Sequence, residues 1–102
     1  DYAGSAGDHK IRCLQKLARK ESYIANFYLK REKYQSALAR FEQMLKKYSG
    51  IGLDARALFG ASKSAYHLKQ LNKARTYYNQ LQTHYAKSKW SRKAKIELGE
   101  LL

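Results

Sequence analysis

An all-α fold built from repeated helical hairpins is predicted by three features of this sequence. The 102 residues contain no Pro and only six Gly, so almost nothing interrupts long helices. Apolar residues recur at steps of three, four and seven through most of the chain, the period of a helix with one buried face. The stretch EKYQSALARFEQMLKKY, residues 32–48, returns 37 positions later as KQLNKARTYYNQLQTHY.

Residues 1–8, DYAGSAGD, are small and polar without periodicity and are expected to be a flexible leader, with Asp8 as the first N-cap. Residues 9–102 then form the folded domain. Ile11, Leu14, Ala18, Ala25 and Tyr28, flanked by Leu17, Ile24 and Phe27, carry one apolar stripe to about Lys30 and predict an unusually long first helix. The second helix places Tyr34, Ala37, Leu38, Phe41, Met44, Leu45 and Tyr48 on one broad face. It ends at SGIG, where Gly50 can adopt the left-handed conformation without a Cβ penalty. A third helix is predicted over about Leu53–Leu68, with Ala57, Ala61 and Ala65 making a thin face for close approach. A fourth spans about Leu71–Tyr85, and a fifth starts near Ser88 and carries Trp90, Ala94, Leu98 and Leu101. Hairpins over about 18–49 and 55–86 are followed by a C-terminal helix over 88–102.

Superposing the fourth helix on the second pairs Tyr34 with Leu71, Ala37 with Ala74, Phe41 with Tyr78, Met44 with Leu81 and Tyr48 with Tyr85. A small residue at a fixed helical position, an aromatic four later and a hairpin at this period describe a tetratricopeptide-type repeat. Each hairpin covers half its apolar surface alone, and stacking copies completes the burial. The expected product is a short right-handed superhelix of about five helices with a concave face, in which Ala37 and Ala74 occupy equivalent seams. The first and last helices act as caps, and apolar surface at Leu101 and Leu102 offers a place for a further repeat or a partner.

Composition narrows the function. Lys and Arg number 21 against 8 Asp and Glu, a formal charge of +13 that favours anionic partners, although solvated helix faces explain the same excess. His9, His67 and His84 lack metal-ligand spacing, and His9 with Cys13 makes no closed site, so neither metal nor cofactor is expected. No Gly-rich loop, nucleophile elbow or convergent polar cluster is present, which argues against an enzyme. Cys13 is alone, and no signal peptide or membrane span is evident. Because the sequence starts without Met, it is expected to be one domain of a longer protein. Nine Tyr beside so much positive charge raise nucleic-acid stacking, but Tyr28, Tyr34, Tyr48, Tyr78 and Tyr85 fall at packing positions. Only Tyr2, Tyr23, Tyr66 and Tyr77 are left as surface aromatics, and nucleic acid is disfavoured as a partner.

Residues 13–48 carry a more specific pattern. Lys16, Leu17, Ala18, Glu21, Ile24, Ala25, Phe27 and Tyr28 are followed, after a polar turn, by Tyr34, Ala37, Arg40, Phe41, Glu42, Met44, Leu45 and Tyr48. This combination resembles the C-terminal half of the BamD outer-membrane assembly lipoprotein family. The resemblance implies a non-catalytic periplasmic scaffold at the outer membrane of a Gram-negative bacterium, holding components or precursors of the β-barrel assembly machinery. Cys13 follows Lys10, Ile11 and Arg12 and is no lipidation site, so membrane attachment is expected only through a lipid anchor outside this chain. The periplasmic Tol-Pal-associated tetratricopeptide family is an alternative, suggested by YAKSKWSRKAKIELGE. A basic adaptor for nucleic acid or anionic lipid is another.

Tetratricopeptide scaffolds in general present fixed positions of each first helix to the groove. In that register Arg19, Ser22, Asn26, Leu29 and Lys30 come from one repeat, and Arg56, Phe59, Lys63, Tyr66 and His67 from the next. This mixture of cations, amide and aromatics suits an extended peptide bearing carboxylates or a free C-terminus. A solvated inner face is the competing reading. Arg40 fits the family's pattern and is expected to pair with a partner's carboxylate or to stand idle beside Glu42.

Overall fold

The computed structural model describes the backbone from Tyr2 to Leu102 and side chains from Arg12 onward, so the side chains of His9 and of the expected leader lie outside the described residues. Five helices and no strand are present among those residues: α1 (Tyr2–Lys30), α2 (Tyr34–Lys47), α3 (Asp54–His67), α4 (Leu71–His84) and α5 (Lys89–Leu98). Helix α1 is assigned from Tyr2, ahead of the start that Asp8 suggested. Each helix packs on its predecessor, and α3 lies centrally against all four others.

The 37-residue repeat is written into the backbone as well as the side chains. Helices α2 and α4 have 14 residues each and start 37 positions apart. The turns before them are alike: Glu32 (φ 61°) and Lys69 (φ 64°) both take the left-handed conformation. In the first turn Lys33 N–H donates to Tyr28 O at 2.9 Å, and in the second Gln70 N–H donates to Ala65 O at 2.9 Å. These bonds satisfy carbonyls at a helix end that would otherwise lack a donor. Neither left-handed residue is Gly, so composition alone does not mark either turn.

Between the hairpins, Gly50 (φ 82°) and Gly52 (φ 102°) take the positive φ that L side chains rarely adopt. Gly50 N–H donates to the Asp54 carboxylate at 3.1 Å, which ties the turn to the start of α3. Ser88 caps α5 by accepting from Ser91 N–H at 3.1 Å.

Small residues set the helix spacing. Ala25, Ala37, Ala61, Ala65 and Ala74 are all fully buried in one cluster with Phe41 and Met44. Ala37 and Ala74 thus both lie in the seams between helices. At Gly60 an added Cβ would overlap the Phe41 ring, so α2 and α3 approach as closely as they do because that position has no side chain. A second cluster joins Leu58, Phe59, Leu81 and Ala94, with Tyr78, Tyr85 and Trp90 packed on it. Helix α5 closes this cluster from one end, packing on α3 more than on α4.

Two of the tyrosines read as surface groups are partly buried. Tyr77 packs on both clusters and donates to Glu42 at 2.5 Å, and Tyr66 is partly buried against the first cluster. Both face a neighbouring helix, which single-helix periodicity does not reveal. Tyr23 is 73% exposed.

Candidate partner-binding trough

The first helices α1, α3 and α5 enclose a cavity of about 320 Å³. Helix α1 contributes Asn26, Leu29 and Lys30, α3 contributes Arg56, Phe59 and Lys63, and α5 contributes Trp90 and Lys93. A smaller cavity of about 170 Å³, lined by Tyr23, Phe27, Asn26, Lys30 and Arg56, adjoins it. Asn26, Lys30 and Arg56 border both, so the two form one trough crossing the helices.

Its floor is an aromatic pair. The Phe59 and Trp90 rings lie 5.6 Å apart at an interplanar angle of 34°. Phe59 is only 5% exposed, so it supplies support more than contact area. Cations gather over these rings: the Arg56 guanidinium is 5.2 Å from the Trp90 centroid, and Lys93 Nζ is 5.5 Å from Trp90 and 5.4 Å from Phe59. Lys89 Nζ adds a further positive group 4.9 Å from Trp90. Ring faces attract cations through their quadrupole without cancelling the charge. Lys63 is neutralised by Glu97 at 2.8 Å, but Lys30, Arg56 and Lys93 have no carboxylate within ion-pair distance among the described residues. Arg56 Nε is also buried without an acceptor. Asn26 commits its NH₂ to Ser22 O at 2.9 Å, which leaves its carbonyl oxygen free to accept.

Asn26, Lys30, Arg56, Phe59 and Lys63 are thus brought together. Tyr66 and His67 stand apart, at a cavity of about 390 Å³ shared with Lys69 and Leu71. The His67 ring there stacks on Tyr34 at 4.3 Å. Arg19 is exposed on α1 and borders neither part of the trough. Arg40 pairs with Glu21 of α1 at 3.1 Å, not with its neighbour Glu42. Trp90, Lys93 and Lys89 were not singled out from sequence. A signal for Lys93 existed: the 37-residue step from Arg19 to Arg56, taken once more, reaches it.

The side formed by α2, α3 and α4 is charged differently. A cavity of about 560 Å³ there is lined by Glu42, Asp54, Lys73, Tyr77 and Tyr85, among others. Glu42 accepts from Tyr77 and pairs with Lys73 at 3.1 Å, and Asp54 accepts from Tyr85 at 3.0 Å. Burial, then the hydrogen bond and charge of Glu42, push the Tyr77 phenol well above its ordinary value. Tyr85 is raised by burial and Asp54 in the same way. Carboxylates here already have their partners. No cluster of metal-ligating side chains occurs among the described residues, and no described helix is long and apolar enough to cross a membrane.

The YfiO outer membrane lipoprotein profile matches residues 1–59. The chain is also 34% identical over 74 residues to the outer membrane protein assembly factor BamD of Rickettsia prowazekii (strain Madrid E). That match covers 72% of this chain and 30% of the relative, so the chain spans under a third of that protein's length. No solved structure matches significantly.

Proposed function

The chain belongs to the YfiO family of outer membrane lipoproteins, and on that premise we propose that it is a non-catalytic scaffold that holds another polypeptide during assembly of outer-membrane β-barrel proteins. The reading extends to a position at the periplasmic face of the outer membrane, with any lipid anchor supplied outside these residues. The observation that carries it is the trough across three successive first helices. Lys30 and Lys93 are exposed at it, and among the described residues no acid–base pair or nucleophile converges there as catalysis requires.

Arg40 is a second contact in this proposal. Glu21 holds it in the free chain with one Nη group at 3.1 and 3.4 Å from the two carboxylate oxygens. The Arg40 side chain is 38% exposed and its fork has donors to spare, so a partner's carboxylate can displace or share Glu21.

The test is affinity purification of the tagged, full-length protein from cell envelopes in mild detergent, probed for the central β-barrel component of the assembly machinery. Co-purification is expected, and Arg40→Ala should reduce it about fivefold or more while the melting temperature changes little. Absence of that component from the wild-type purification sinks the proposal. Unchanged recovery with Arg40→Ala removes that residue from the contact.

The charge of +13 favours one competing reading, a basic adaptor for nucleic acid. Ionic strength separates the two, since phosphate-driven binding falls by orders of magnitude between low and physiological salt. A protein contact with packed anchors falls much less.

A further inference from the structure

We infer that the trough between α1, α3 and α5 is a receptor for an acidic, extended segment of polypeptide, whose carboxylates meet Lys30, Arg56 and Lys93 and whose backbone N–H is accepted by Asn26. This deepens the scaffold proposal and rests on it for the identity of the partner as a protein.

Charge is the first reason. Lys30, Arg56, Lys63 and Lys93 line one cavity, and among the described residues no acidic side chain lines it and only Lys63 is paired. Like charges crowded into a partly enclosed space repel one another, and the effect is stronger there than in open water. The Phe59 and Trp90 faces offset part of that cost while leaving the charge intact. The contrast with the α2–α4 side sharpens this, since Glu42 and Asp54 are both engaged there. An arrangement that spends its carboxylates on one side and withholds them on the other is set to receive negative charge.

Shape favours polypeptide over a compact anion. Packed helices lie about 8–10 Å apart, so a trough crossing three of them extends roughly 20 Å, the length of about six extended residues. A phosphate or lipid headgroup would fill one end only. Asn26 is the second discriminator, because its free carbonyl oxygen repels phosphate oxygens and matches a peptide N–H. Arg56 is the third. It has no intramolecular hydrogen-bond partner among the described residues, and its planar fork fits a carboxylate with two parallel bonds.

Trp90 is the only tryptophan in the sequence and reports on the trough directly. The experiment titrates its fluorescence in this 102-residue chain with a short acetylated and amidated peptide alternating glutamate with leucine, at physiological salt. A saturable change is expected, with affinity at least about tenfold weaker when every glutamate is replaced by glutamine. Lys30→Gln/Lys93→Gln, both at exposed positions, should weaken binding by about tenfold or more. Lys20→Gln/Lys47→Gln removes the same charge from exposed sites elsewhere and should change it less than about threefold. Arg56→Lys, which keeps the charge and loses the fork, should weaken it by about fivefold.

Equal binding of the two peptides, or equal loss in the two double variants, overturns the inference in favour of diffuse attraction. A Trp90 response to inorganic phosphate or phosphatidylglycerol vesicles at lower anion concentration than to the peptide overturns it in favour of a phosphate site. The envelope purification reads the scaffold role separately. Retained co-purification beside a flat Trp90 titration removes the trough and leaves the scaffold, while the opposite pair of results removes the assembly role and leaves the trough.

Discussion

In the first hairpin Phe41 is fully buried and its ring fits only because Gly60 of α3 has no Cβ, whereas in the second hairpin the equivalent Tyr78 is only partly buried on the cluster around Leu81 and Ala94. Helix length, N-terminal turn and the seam alanines Ala37 and Ala74 are the same in both. What differs is the helix that follows. Helix α3 has 14 residues and presents Gly60, while α5 has 10 and carries Glu97 at the position 37 residues further on. A repeat therefore reproduces its backbone from small residues at fixed sites, but how completely its large residue is sealed depends on the next unit. The lesson extends to charge: Glu97 neutralises Lys63 at the edge of the trough, where the first hairpin has no equivalent ion pair among the described residues.

The largest effect that would test this contrast is truncation of the two aromatics. Phe41→Ala should cost about 3–5 kcal/mol in urea unfolding, because it empties a fully enclosed site. Tyr78→Ala, at a partly buried site, should cost about 1–2 kcal/mol. Equal losses would mean that the second seam is as closed as the first.

Gly60→Ala comes next. Alanine favours a helix over glycine by about 0.5–1 kcal/mol, yet overpacking against Phe41 costs about 1–3 kcal/mol, so a net loss of about 1–2 kcal/mol is expected. Combining it with Phe41→Leu should give a loss smaller than the sum of the two single changes, since the smaller side chain relieves the overlap. Simple additivity would show that the ring and the bare backbone do not meet.

Tyr77→Phe, on the α2–α4 side, should cost about 1 kcal/mol at neutral pH by removing the bond to Glu42. The folded chain holds the Tyr77 proton more tightly than the unfolded chain, whose phenol titrates near about 10. Its stabilising contribution is therefore complete below that pH and is lost as pH rises above it toward the folded value. Wild type should lose stability above about pH 10, and Tyr77→Phe should lose less over the same interval when unfolding is followed by circular dichroism. An identical alkaline slope would separate the raised phenol from stability.

Smallest is Glu21→Gln, which breaks the partly exposed pair with Arg40 and should cost under about 1 kcal/mol. In the envelope purification the same change frees Arg40 and should preserve or raise recovery of the partner.

Much of this was legible along the chain. The helix starts at Tyr34 and Leu71, the buried alanines of α3 and the left-handed Gly50 all follow from local rules of periodicity, close approach and φ preference. The turns at Glu32 and Lys69 were legible only as polar gaps, because non-glycine residues adopt the left-handed conformation there under the constraint of the packed hairpins. For the trough, the register placed Asn26, Lys30, Arg56, Phe59 and Lys63 on one face, but Trp90 and Lys93 sit on a helix whose relation to that face depends on α5 docking against α3.

The sequence by itself determined the number of helices, their period of 37 and the small residues at the seams, since each of these depends on the pitch of a single helix and on side-chain size. Only the tertiary structure decided which charges meet. Arg40 turned to Glu21, Glu42 to Lys73 and Tyr77, and Arg56 to the face of Trp90, each partner lying 19 or more residues away. Such pairs are set by the angle and spacing at which rigid helices stack, and that geometry is a property of the assembled packing rather than of any one segment.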